Sequence, residues 1–137
     1  MKHIGFSGGS SFFELGSSSD MLYFFKYLYS LVHNEREKYL LDRIYRKYIM
    51  FDEMDESLVL LNNLKLICSN DFLEVFSKYF ECIEGCIESA KGFYEDWGIY
   101  QVVKVIITDM PYCISEMERP KEEYDALSFD DTPFWLR

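Results

Sequence analysis

Residues 71–97 read DFLEVFSKYFECIEGCIESAKGFYEDW, and this stretch decides the fold. Phe72, Val75, Phe76, Tyr79, Phe80, Ile83, Cys86, Ile87, Ala90, Tyr94 and Trp97 recur three or four residues apart. That spacing stacks side chains on one face of an α-helix. Asp71 and Glu74 stand three apart, as in a capping box. Gly98 follows at the position where a left-handed residue stops a helix. Gly85 and Gly92 each cost about 1 kcal/mol relative to alanine in a helix interior, so a bend or break there is the alternative to one long helix. Glu74, Glu81, Glu88 and Glu95 succeed one another every seven residues, with Glu84 nearby. Seven residues is close to two turns, so these carboxylates form a stripe opposite the aromatic face, with steps of roughly 10 Å.

On the N-terminal side, Leu58, Leu61, Leu64, Lys65 and Cys68 follow at helical spacing and predict another helix. The run Asp52-Glu53-Met54-Asp55-Glu56 before it reads as a solvated acidic link, its second half also suiting the opening turn of that helix. Residues 34–51 predict a further helix and form the one basic segment, with five basic residues against three acidic ones. Met21 to His33 is an aromatic, nearly uncharged helix, apolar around most of its circumference and so expected to be central and buried. A serine of Gly16-Ser17-Ser18-Ser19-Asp20 suits its N-cap. Residues 3–7 and 11–15 read as a hairpin around Gly8-Gly9-Ser10. Past the long helix, 101–109 is a β-branched strand, apolar on both faces except at Lys104, and expected to be central in a sheet. Pro111, Pro120 and Pro133 punctuate a less regular acidic segment, 110–137, with room for a short strand near Tyr112 to Ser115.

The chain has 137 residues, 49% hydrophobic and 18% aromatic. This is the size of one domain, able to bury roughly two-thirds of its unfolded surface without disulfides or metal. Its net charge is −10, which argues against direct binding to nucleic acid or to anionic membrane. It favours a basic protein partner, with solubility alone as the plainer account. Two segments hold the excess. Residues 71–98 carry seven acidic and two basic side chains, and 109–137 carry eight and three. No apolar leader follows Met1-Lys2-His3, and the most apolar run, 21–32, is too short to span a bilayer. A cytoplasmic protein with reduced Cys68, Cys82, Cys86 and Cys113 is expected.

Catalytic signatures are missing from the sequence. Gly5-Phe6-Ser7-Gly8-Gly9-Ser10-Ser11 lacks the lysine of a phosphate loop, and a hairpin turn is the better reading. Cys82 and Cys86 lie one turn apart but make half of a zinc site at most. Residues 52–56 lack the spacing of a calcium loop. No serine or cysteine sits in a nucleophile elbow. Neither a cofactor nor a metal is expected.

The succession Leu15-Gly16-Ser17-Ser18-Ser19-Asp20-Met21-Leu22-Tyr23-Phe24-Phe25, a helical middle, Phe72-Leu73-Glu74-Val75-Phe76 leading into the long helix, and a strand at 102–107 resembles bacterial immunity proteins of the immunity protein 70 kind. The resemblance covers residues 11–108, and the proline-punctuated C-terminal extension departs from the pattern. It implies a protein of a polymorphic-toxin or contact-dependent growth-inhibition system that binds its cognate toxin domain and blocks it. Many such toxins are nucleases, whose substrate clefts are basic. The family supplies no catalytic motif and no fixed set of contact residues.

Together these readings predict a single α+β domain over 1–137, with about four helices packed on a small sheet of three or four strands. The predicted function is neutralisation of a cognate toxin by stoichiometric occlusion, without catalysis. The expected contacts are Glu74, Glu81, Glu84 and Glu88 on the long helix, and Glu116, Glu118, Asp130, Asp131 and Trp135 in the C-terminal segment. Trp135 reads equally as a buried plug. An acidic DNA mimic that occupies a DNA-binding protein, and a small enzyme without a recognisable motif, are the other classes.

Overall fold

The computed structural model describes residues 2–6, 12–46, 49–97 and 105–108, and the side chains of 13–45, 49–96, 105 and 107. The elements in chain order are β1 (Lys2–Phe6), β2 (Phe12–Gly16), α1 (Ser18–Leu31), α2 (Glu35–Arg46), α3 (Phe51–Ile67), α4 (Asn70–Trp97) and β3 (Val105–Thr108). The α+β class expected from the sequence is corrected here, because the protein is mostly helical. Of the residues with described side chains, 83% lie in helices. The strands are only five, five and four residues long, about 13–17 Å each. They pair through the backbone in the order β2-β1-β3. Among the described side chains the strands add only Leu15, Val105 and Ile107 to a buried core that the helices mostly fill.

The same pairing corrects the placement of the C-terminal strand. β1 is the middle strand, antiparallel to both neighbours, and β3 lies at the end of the order. Among the described residues β3 gains a second neighbour at one point, where Ile49 and Val105 exchange backbone hydrogen bonds of 3.1 and 3.4 Å. The expected strand near Tyr112 to Ser115, the turn at Gly8-Gly9-Ser10 and the segment 110–137 lie outside the described residues.

Helix starts follow local chemistry. Ser17 Oγ accepts from the Asp20 N–H at 3.1 Å and caps α1. Asn34 and Glu37 satisfy each other reciprocally: Glu37 N–H donates to Asn34 Oδ1 at 2.8 Å, and Asn34 Nδ2 donates to Glu37 Oε1 at 2.5 Å. α4 is capped by Ser69, whose Oγ accepts from the Phe72 N–H at 3.2 Å, and not by the Asp71–Glu74 pair the spacing suggested. α4 then runs 28 residues, passing through Gly85 and Gly92 without a break.

The boundary between α2 and α3 departs most from expectation. α2 ends at Arg46, Ile49 takes a bridge to β3, and α3 begins at Phe51. The whole acidic run 52–56 is therefore helix and not a solvated link. Asp52 and Glu53 occupy the first turn of α3, where carboxylates suit the helix dipole. Glu53 is only 6% exposed. Its Oε1 accepts from the Met50 N–H at 3.1 Å and lies 3.5 Å from Arg43 Nη2.

The core draws on all four helices and the strands, and its aromatic part is a contact between α1 and α4. Met21, Phe24, Phe25 and Leu28 of α1 are fully buried. The Phe24 ring lies 5.1–5.7 Å from those of Phe72, Phe76, Tyr79 and Phe80. α1 is nonetheless one-sided rather than buried all round, since Tyr23 remains 59% exposed. On α4 the expected core positions are buried, from Phe72 and Phe76 through Ile83 and Ile87 to Tyr94, with one exception. Val75 is 69% exposed. No helix among the described residues is long and apolar enough to cross a membrane.

Candidate binding surface

Burial of one face of α4 determines what the other face offers. The aromatic contact with α1 holds its first half. Two ion pairs hold it against α3: Lys65 Nζ donates to Glu84 Oε2 at 2.9 Å, and Lys91 Nζ lies 2.6 Å from Asp55 Oδ1. With the helix held on these sides, Glu74, Glu81 and Glu88 project outward and are exposed. None of the three has an ion pair among the described residues. At 1.5 Å per residue the ladder from Glu74 to Glu88 spans about 21 Å. Glu95 continues it, with its Oε1 4.0 Å from Lys91 Nζ.

The nine contact residues expected from the sequence thus divide. Glu74, Glu81 and Glu88 share one open face. Glu84 does not join them: it is half-buried, with one oxygen committed to Lys65 and the other enclosed without a hydrogen-bond partner. Its place is in the brace between α3 and α4. Glu116, Glu118, Asp130, Asp131 and Trp135 lie outside the described residues.

Among the described residues, the cations Arg36, Lys38 and Arg43 of the basic segment are paired with the protein's own acids. Arg36 makes a forked pair with Glu56, at 2.7 and 3.0 Å. Lys38 reaches Glu35 at 3.3 Å, and Arg43 reaches Glu53. The hydrogen bond to Glu56 raises the pKa of Arg36, and the same bond lowers that of Glu56. Hydrogen bonds to Glu35 and to Asp55 likewise raise Lys38 and Lys91. Burial, and next to it the hydrogen bond to Glu53, pushes the Tyr39 hydroxyl up.

Two depressions of the surface are lined by described residues. The larger, about 460 Å³, lies between α2 and α3 over Leu40 and Leu60. Of its charged groups, Arg36 and Glu56 pair with each other, Asp55 pairs with Lys91, and Glu37 accepts from the Asn34 side chain. The smaller, about 330 Å³, lies between α1 and the first turns of α4, among Tyr23, Tyr27, Phe72, Val75 and Phe76. Sequence spacing placed Val75 in the core, and the helix that carries Tyr23 was expected to be buried around most of its circumference. Val75 sits at the margin of the apolar arc of α4, about 60° from Phe72 at 100° per residue, and α1 does not extend over that margin.

The cysteines offer no reactive centre among the described residues. Cys68, Cys82 and Cys86 are buried and free, and burial raises the pKa of each thiol, Cys86 furthest. Among the described residues no cluster of three or more His, Cys, Asp or Glu side chains is placed to hold a metal ion. No protein-family model matches the chain, and no curated protein or solved structure matches it.

Proposed function

We propose that this protein is a stoichiometric inhibitor that binds a basic protein surface through the outer face of α4, and that its partner is a cognate bacterial toxin domain. The observation that carries the first part is the exposed ladder Glu74, Glu81 and Glu88, without ion pairs among the described residues, on a helix fixed from behind. A preformed row of like charges attracts an oppositely charged surface over a distance, raising association rates towards ~10⁸–10⁹ M⁻¹s⁻¹ at low salt. Because these carboxylates stand on a helix that is already folded, their backbone needs no ordering on binding. The resemblance to immunity proteins supports the second part. Covering a basic substrate cleft requires charge and shape but no catalytic group, and it would take place in the cytoplasm. The acidic and aromatic residues Glu116, Glu118, Asp130, Asp131 and Trp135 are proposed to extend the same contact.

The experiment is co-expression with the toxin encoded next to this gene, together with binding of the two purified proteins at several salt concentrations. Rescue of growth and an association rate that falls steeply with salt are expected. The double variant Glu81→Lys/Glu88→Lys should fold normally and associate at least tenfold more slowly at low salt. A toxin that neither binds nor is neutralised would refute the immunity reading. A salt-independent rate, unchanged in the double variant, would remove the α4 face from it.

A further inference from the structure

We infer that the notch between α1 and the start of α4 is the anchoring site for an arginine side chain of the basic partner. The inference rests on the proposed function and names the group that the acidic face would capture. The floor of the notch is a rigid aromatic lattice. Tyr27 stacks on Phe72 at 3.9 Å with the planes 17° apart, and Tyr23 stacks on Phe76 at 5.7 Å and 24°. Tyr27 Oη accepts from the Ser69 N–H at 3.1 Å, which ties α1 to the cap of α4. Tyr23 is the exposed member of its stack, and Val75 beside it forms an exposed apolar lip. Aromatic surface left open on a preformed site is the kind of feature on which interface energy concentrates.

The rim decides which side chain fits. Asp71 lines the notch and is exposed, and Glu74 precedes Val75 on the same turn. Neither has an ion pair among the described residues. The helix start would favour an anion, but Ser69 already receives the Phe72 and Leu73 N–H groups, and Asp71 adds a negative charge in the first turn. An anion is therefore repelled, and a purely apolar side chain would strip water from Asp71 without replacing it. Arginine meets all the demands. Its guanidinium lies flat on a tyrosine face, its stem covers Val75, and its donors reach a carboxylate. Lysine meets the charge but lacks the planar stacking group.

The full chain, isotopically labelled, is titrated at low salt with acetylated, amidated hexa-arginine and hexa-lysine peptides, followed by NMR and calorimetry. Hexa-arginine is expected to bind about two- to fivefold more tightly than hexa-lysine, with the largest shifts at Tyr23, Tyr27, Asp71 and Val75. Val75→Lys places a competing cation on an exposed lip, leaves the core untouched, and should bring the ratio to about one. Equal binding of the two peptides to the wild type, or a ratio that survives Val75→Lys, overturns the notch while leaving the acidic face intact as a binding surface. Binding of neither peptide overturns the acidic-face reading, and the notch with it.

Discussion

Replacing Glu53 by alanine should destabilise the protein more than any change on its acidic surface. The carboxylate is buried at the start of α3, takes the Met50 N–H at 3.1 Å and stands 3.5 Å from Arg43. Breaking a buried ion pair by removing one partner costs about 3–5 kcal/mol. Losing the acceptor of a part-buried amide adds about 1–2 kcal/mol when taken alone. The two are coupled through one oxygen and do not add. Arg43 also keeps other interactions, which draws the total towards the lower end, about 3–4 kcal/mol. Glu53→Gln retains shape and an oxygen for Met50 and loses only the charge, so about 1–2 kcal/mol is expected. Replacing the pair together, Arg43→Met with Glu53→Leu, should recover most of the loss, because the desolvation of both charges disappears along with their attraction. Urea unfolding followed by circular dichroism measures all three, with the slope of the transition checked for constancy. Glu53→Ala within 1 kcal/mol of the wild type, or no better when Arg43 is also replaced, would refute the reasoning. The run 52–56 would then behave as the solvated link that its composition suggests.

Phe24→Ala removes a fully buried ring that touches four rings of α4 and should cost about 3–5 kcal/mol in the same assay; a loss below 1 kcal/mol would mean that the α1–α4 contact is not a main part of the core. Gly16→Ala sets a methyl group against the Tyr79 hydroxyl, 3.0 Å from Cζ. The Tyr79 ring is itself held near Phe24 and Phe76, so about 1–3 kcal/mol is expected, and Tyr79→Phe in the same chain should restore part of it. Burial raises the pKa of Cys68, Cys82 and Cys86 from an ordinary 9.0, so these thiols should alkylate far more slowly at pH 8 than in the unfolded chain, read site by site by mass spectrometry. The unfolded chain then loses thiol protons before the folded one does, and stability should fall as pH rises above about 9.

Much of α4 was legible because a 28-residue helix repeats its periodicity many times, and a serine cap for α1 was legible within Ser17-Ser18-Ser19, though which serine caps it was not. Other features depend on long-range neighbours. The composition of 52–56 is that of an exposed link, and partners on α2, Arg43 and Tyr39, together with the Met50 N–H, make burial of Glu53 tolerable. Val75 and Phe72 look equivalent in a pattern of three and four, yet α1 covers one and leaves the other open. The class of fold was misread for a related reason. β-branched residues indicate that 105–108 is extended, but they do not say how few residues the strands contain or that the helices supply most of the core.

The acidic face gains its meaning from where the cations went. Arg36, Lys38, Arg43, Lys65 and Lys91 each pair with an acid of the same chain. The three carboxylates of the outer α4 ladder are left out of this pairing among the described residues. On this face Lys78, exposed four residues after Glu74 and three before Glu81, offsets part of the repulsion, and the like charges that remain cost the helix a few tenths of a kcal/mol. α4 can carry that cost because Phe72, Phe76, Phe80 and Ile83 hold its inner face in the core. The stripe does little for the fold of the free protein. A basic surface set against it would turn the repulsion among Glu74, Glu81 and Glu88 into attraction, with the aromatic notch at one end of the same helix to fix the register.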